Sequence, residues 1–123
     1  MTLLLVAGPP GVGKSTLAQG LARRLSWPLF MKDAYKELLF DTVGFGSRAA
    51  KVQLGLAAMA VICHAGFAVL KSGGSVILES NFETADLPFI KPLVIYPGVQ
   101  TVTLRLEAEM DVLYERFLRR DEN

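Results

Sequence analysis

The stretch Gly8-Pro9-Pro10-Gly11-Val12-Gly13-Lys14-Ser15 limits what this chain can become more than any other part of it. It reads G-x-x-x-x-G-K-[ST], the Walker A pattern, whose chemistry demands a buried strand before it and a helix after it. Both are present. Leu3-Leu4-Leu5-Val6-Ala7 is a short apolar run of the kind that lies inside a parallel sheet. Leu17, Leu21 and Leu25 follow at helical spacing, with Ala18 and Ala22 beside them and Arg23 and Arg24 opposite.

Such a loop curls so that successive N–H groups point inward and form an anion nest. The helix that follows adds about half a positive charge at its N-terminus. Gly8 through Thr16 are therefore the expected cradle for a nucleotide's phosphates. Lys14 is placed to reach the β- and γ-phosphates, and Ser15 to ligate Mg²⁺.

The rest of the chain extends this pattern. The first helix should end near Leu25, because Ser26-Trp27-Pro28 breaks its spacing. Pro28 to Met31 is a short candidate strand, and a helix is expected from Asp33 or just after it. That helix has Leu38, Leu39 and Val43 on its apolar side and Gly44 at its end. Ser47 suits the cap of the next helix. Ser75 to Leu78 reads as a third strand that delivers Glu79 at its carboxyl end, with Asn81 and Phe82 in the loop beyond. Pro88, Pro92 and Pro97 argue against a long helix over residues 84–97. Thr101 to Leu106 alternates, as a strand at a sheet edge with one wetter face does. Glu107 to Arg120 reads as a last helix.

Strands alternating with helices imply an α/β fold, a parallel sheet covered on both faces. Ligands then sit beyond the carboxyl ends of the strands. Three such ends carry chemistry: the glycine loop after strand one, Asp33 after strand two and Glu79 after strand three. Asp33 suits both a helix cap and a general base. Glu79 suits a metal ligand alongside Ser15. Lys32 and Lys36 read as surface lysines, and Arg48 and Phe82 as candidates to line an acceptor pocket.

Composition narrows the function. Residues 1–123 are short enough to form a single domain, and 51% hydrophobic with 20% charged residues is a globular balance. A net charge of +1 gives no field for gripping nucleic acid, so no nucleic-acid partner is expected. The one cysteine, Cys63, fits a reducing cytoplasm, and it and His64 read as core filler. Val52 to Leu70 is apolar almost all round and long enough to suggest a membrane span. Its Gln53, Gly55, His64 and Gly66, and the α/β pattern on both sides, favour a helix buried in protein instead, with no membrane partner. A monomer or weak dimer is expected.

Several of these stretches occur together, in order: Ala7 to Thr16, Lys32-Asp33, Lys36-Glu37, Val76-Ile77-Leu78-Glu79-Ser80-Asn81-Phe82 and Arg116-Phe117-Leu118-Arg119-Arg120. With them the chain resembles the small-molecule P-loop kinases, the group that holds chloramphenicol phosphotransferase, zeta toxin and gluconate kinase. The resemblance implies the three-layer P-loop NTPase fold of nucleoside monophosphate kinases, with strand order 2-3-1-4-5. It implies ATP and Mg²⁺ as cofactors and a small-molecule hydroxyl as acceptor. It implies that Gly8 to Ser15 hold the phosphates and Mg²⁺, that Asp33 faces the acceptor hydroxyl and that Glu79 lies near metal and substrate. Arg116 and Arg120 match the R-x-x-x-R of a lid helix over residues 107–120, which touches adenine and phosphates, with Arg120 among the catalytic groups. Glu79 stands where many members have Asp. The family continues past the point where this chain reaches Asn123, through a lid and a fifth strand. A sheet of about four strands in the order 2-3-1-4 is therefore expected, the domain being incomplete at its C-terminal side. The alternatives are an ATPase of the AAA+ type, whose loops also read G-P-P-G-x-G-K, and a nucleotide-binding module without phosphotransfer.

Overall fold

The computed structural model describes residues 1–44 and 46–107. The elements run β1 (Thr2–Ala7), α1 (Lys14–Leu25), β2 (Leu29–Met31), α2 (Lys32–Val43), α3 (Arg48–Lys71), β3 (Val76–Ser80), a 3₁₀ turn (Thr84–Asp86), α4 (Leu87–Val94) and β4 (Gln100–Arg105). The four strands form one sheet in the order β2-β3-β1-β4, every pair parallel. This is the P-loop α/β fold, with its first strand in the interior of the sheet.

Alternation along the central strands sorts the core into two layers. Leu3 and Leu5 of β1 and Val76 and Leu78 of β3 face Met59, Ile62, Cys63 and Leu70 of α3 and Ile90 and Leu93 of α4. Leu4 and Val6 of β1 and Ile77 of β3 face Ala18 of α1, with Leu21, Ala22 and Trp27 packed around them. Glu79 is two residues past Ile77, so its side chain emerges on the α1 layer, where the glycine loop begins its helix.

Helix α3 is apolar all round, yet it buries one stripe only: Gly55, Ala58, Met59, Ile62, Cys63, Gly66 and Leu70. Small residues mark the stripe because the backbone comes close to the sheet. A Cβ at position 66 would lie 3.2 Å from Leu78 Cδ2. The opposite face leaves Val52 60% and Val61 44% exposed, which differs from the fully enclosed helix expected from composition. By length and composition alone α3 could cross a membrane; its small-residue stripe instead packs on β3, α2 and α4. Ser47 caps it as expected, its Oγ accepting a hydrogen bond from Ala50 N at 3.1 Å. His64, expected in the core, is exposed on the outer face, because one step along a helix from the buried Cys63 turns the side chain by about 100°.

Two boundaries differ from the sequence expectation. Helix α2 begins at Lys32, directly after β2, and its N-cap is Met31. Asp33 therefore sits inside the first turn, where a carboxylate favours the helix dipole, and is no cap. The proline-rich stretch does hold a helix, short as anticipated: Pro88 falls in the first turn of α4, where no N–H is needed, and Pro92 lies inside its eight residues. Strand β4 sits at the edge and is exposed along its whole length, Val102 and Leu104 included. The contrast between a wet and a dry face expected from its alternation is thus not realised. The lid helix expected over residues 107–120, with Arg116 and Arg120, falls outside the described residues apart from Glu107.

Candidate active site

The glycine loop turns between β1 and α1 through positive φ values at Gly8 (154°), Gly11 (79°) and Gly13 (91°). Gly13 is the N-cap of α1 in the left-handed region, and no side chain caps that helix. The first-turn N–H groups are left for an anion, as the anion-nest reading requires. Pro9 and Pro10 stand exposed on the outside of the turn, while Val12 is buried beneath it.

Lys14 does not extend into solvent. It is 8% exposed, and its Nζ lies 3.5 Å from the Pro9 carbonyl oxygen and 3.7 Å from Glu79 Oε1. Ser15 Oγ donates to Glu79 Oε2 at 3.5 Å, the long end of hydrogen bonding. Glu79 itself is 3% exposed. Lys14, Ser15 and Glu79, three residues singled out from the sequence, thus converge at one point. Burial pushes the Glu79 carboxyl above the usual carboxylate range. Lys14 and the Ser15 hydroxyl pull it back, and the negative field of Asp33 adds to the rise.

The residues present fit a triphosphate and a magnesium ion. The loop supplies oriented N–H groups and one lysine. Ser15 Oγ and Glu79 Oε2 are hard oxygen donors 3.5 Å apart. Oxygen donors of this kind would hold a magnesium ion directly or through water.

Asp33 reaches this place through the sheet register. Met31 pairs with Glu79 across β2 and β3, and α2 starts at the next residue. Asp33 lines a cleft of about 420 Å³ between α2 and α3, together with Lys36, Glu37, Phe40, Lys51 and Leu54. That volume is in the range of small-molecule sites. Lys36, read as a surface lysine, is a wall of the cleft, and Arg48 and Phe82 are not among its lining residues. Lys32 turns the other way. Its Nζ lies 3.9 Å from Oδ1 of Asp86, which is 2% exposed.

Asp86 and Lys51 were not singled out from the sequence, and Glu37 entered only beside Lys36 in the resemblance. Lys51 could have been found from the helical spacing that puts it one turn before Leu54. Asp86 gave one local signal, the four-residue Glu83-Thr84-Ala85-Asp86 pattern, in which each end bonds the other's backbone as a capping box.

Comparison with known proteins agrees with this fold. Among solved structures, the chain is similar to a candidate kinase from Chloroflexus aurantiacus J-10-fl, at 38% identity and a TM-score of 0.89, over 98% of this chain and 67% of that one. It is similar to a sugar kinase from Janibacter sp. HTCC2649 at 18% identity and a TM-score of 0.68, over 98% of this chain and 68% of that one. It is also similar to a gluconokinase from Sinorhizobium meliloti 1021 at 19% identity and a TM-score of 0.66, over 99% of this chain and 66% of that one. The latter two likenesses speak for the fold. The chain spans about two thirds of the length of each of the three. No curated protein matches it. A strand, a Walker A loop and a helix meeting a buried strand-end carboxylate form a nucleotide site of the P-loop kinase type, and over residues 4–123 the chain belongs to the AAA-domain family of P-loop proteins.

Proposed function

We propose that the chain binds ATP with Mg²⁺ at Gly8 to Thr16 and transfers the γ-phosphoryl group to a hydroxyl of a small molecule seated between α2 and α3. The observation that carries this reading is the placement of Asp33. It lines the α2–α3 cleft and is close enough to Glu79 for its charge to act on that carboxyl. A hydroxyl in the cleft would therefore sit between a carboxylate and the phosphate loop.

In this reading Asp33 orients the acceptor hydroxyl and takes its proton as the oxygen–phosphorus bond forms and the bond to the β-phosphate oxygen breaks. Lys14 leaves Glu79 for the β- and γ-phosphates and balances their charge. Ser15 and Glu79 hold the metal, which neutralises phosphate charge when bound. Phe40 and Leu54 give the cleft an apolar side against which the body of an acceptor would pack.

A second reading, ATP hydrolysis with water as the acceptor, is favoured by the family description. One experiment separates the two. MgATP affinity is measured by calorimetry on the wild type and on Lys14→Ala, and the wild type is then screened for ADP release against a panel of sugars, sugar acids, nucleosides and hydroxylated antibiotics. Tight binding lost in a folded Lys14→Ala, with ADP release that rises on adding one class of hydroxyl compound, supports the kinase. Undiminished affinity in the folded variant removes the proposed phosphate site. ADP release indifferent to every acceptor favours the hydrolase.

A further inference from the structure

A buried aspartate needs a structural reason, and Asp86 has two. Its Oδ2 accepts from Glu83 N at 2.9 Å, and its Oδ1 faces Lys32 Nζ at 3.9 Å. The first contact belongs to the capping box of the 3₁₀ turn. The second joins that turn to the first residue of α2. Lys32 is itself mostly covered, its side chain 14% exposed, so the pair is screened from water far less than a surface pair would be.

The loop before Asp86 is wired to the end of β3 through side chains. Phe82 N donates to Ser80 Oγ at 3.3 Å, Ser80 Oγ donates to Asn81 Oδ1 at 3.2 Å, and Asn81 Nδ2 donates to Glu83 Oε1 at 3.0 Å. Phe82 is held in the left-handed region at φ 50°, an uncommon place for an aromatic residue, which persists only where the surroundings fix it. The chain thus runs from Glu79 through Ser80, Asn81 and Glu83 to Asp86, and across the ion pair to Lys32, whose neighbour is Asp33.

We propose that Asp86, through Lys32, is a positioning residue that sets the place of Asp33 relative to Glu79. This rests on reading the α2–α3 cleft as the acceptor site. The register of β2 on β3 ends at Met31 opposite Glu79, so the sheet stops fixing the chain one residue before α2. Beyond that point the Lys32–Asp86 pair takes over. It ties the turn that carries the acceptor-side carboxylate to the loop that follows the nucleotide-side carboxylate. The distance between the two substrates is then set by a side-chain pair outside both sites.

The test uses the full chain with three substitutions. Asp86→Asn keeps an acceptor for Glu83 N and removes the charge; Lys32→Met removes the other charge; Lys32→Arg keeps it. Hydrogen exchange comes first, because it needs no acceptor. Amides of residues 35–37 should exchange at least about tenfold faster in Asp86→Asn and Lys32→Met than in wild type. Those of β1 and the glycine loop should be unchanged, and Lys32→Arg should resemble wild type. With the acceptor found in the screen, kcat with that acceptor should fall about 10–100-fold in the two neutral variants, the scale expected when a reacting group is misplaced by about an ångström. KM for MgATP should stay within about twofold of wild type, Lys32→Arg should restore kcat, and the double Asp86→Asn/Lys32→Met variant should be little worse than either single one. Unchanged exchange in residues 35–37 of Asp86→Asn overturns the proposal whether or not the chain is a kinase. So does a loss of MgATP affinity in parallel with kcat, which marks a merely structural aspartate. If exchange responds as expected while no acceptor is ever turned over, the positioning pair stands and the kinase reading fails.

Discussion

Gly8→Ala offers the strongest single test of how tightly the phosphate loop is built into the fold. Gly8 has φ +154°, and a Cβ added there would lie 2.7 Å from the Leu106 backbone oxygen and 3.0 Å from Val12 Cγ1. Side-chain Cβ atoms essentially never come within 3.0 Å of such neighbours. The oxygen cannot swing away freely, because Leu106 N donates to Ala7 O at 2.8 Å and so holds that segment against β1. Backbone strain of this kind costs about 1–3 kcal/mol. Overpacking against a fixed neighbour costs about 1–3 kcal/mol more. A loss of about 2–6 kcal/mol is a large part of the roughly 5–15 kcal/mol that holds a small domain together. In urea titration followed by circular dichroism, with a slope of about 1.5 kcal/mol per molar, a loss of about 3 kcal/mol moves the midpoint down by about 2 M. Gly20→Ala is the control. Gly20 lies inside α1 with open space where a Cβ would go, so alanine should stabilise by about 0.5–1 kcal/mol. A Gly8→Ala midpoint within about 0.3 M of wild type would refute the reasoning, since it would mean that Leu106 yields without cost.

Three further outcomes follow from the site. Asp33→Asn should slow transfer by about 10²-fold, the low end for a general base because the transition state is loose, with MgATP affinity unchanged in calorimetry; an unaltered rate would leave Asp33 as a helix-end charge. Glu79 holds its proton more tightly folded than unfolded, so its contribution to stability is full below the unfolded pKa and is lost as pH rises through the raised folded value. The neutral Glu79→Gln should therefore gain in melting temperature relative to wild type as pH goes from 4 toward 8, and a constant difference across that range would show that burial does not set this carboxyl. Burial, with a lesser push from the charge of Asp86, raises the Cys63 thiol to about 12. Its thiolate fraction at pH 8 is then about 10⁻⁴, and a disulfide reagent should react only as the chain unfolds; prompt reaction of native protein would contradict that.

What could be read from the residues was what is local. The glycine loop, its strand and its helix are contiguous, and each needs only its own spacing to be recognised. The strand order was expected from the resemblance, not from any pattern in the residues. Glu79 was visible as the first charge after an apolar run, although its contacts with Lys14 and Ser15 needed the sheet. Helix α3 hid its buried side because apolar residues cover all of it; only Gly55, Ala58 and Gly66 hint at the close-packed stripe. Asp86 was hidden for a different reason. It pairs with a lysine 54 positions earlier, and it lies beside a proline-rich run that draws attention as an interruption. Pairings at that distance leave no mark in spacing.

The place of β1 in the sheet has a consequence for how the chain is made. Its partners are β3, in register from Leu3 with Val76, and β4, from Thr2 with Gln100. β1 therefore leaves the ribosome well before the last described strand that it pairs with. At about 5–20 residues per second, the roughly 98 residues between them take about 5–20 s to synthesise. Until β3 follows, roughly 73 residues after Leu3, Leu3-Leu4-Leu5-Val6-Ala7 has neither neighbour, and its five apolar residues carry no charge to keep two nascent chains apart. The strand that anchors the phosphate loop is thus also the segment most in need of shelter before folding. Yield of native protein should fall with the concentration of unfolded chain, and a holding chaperone should restore it by occupying that one stretch.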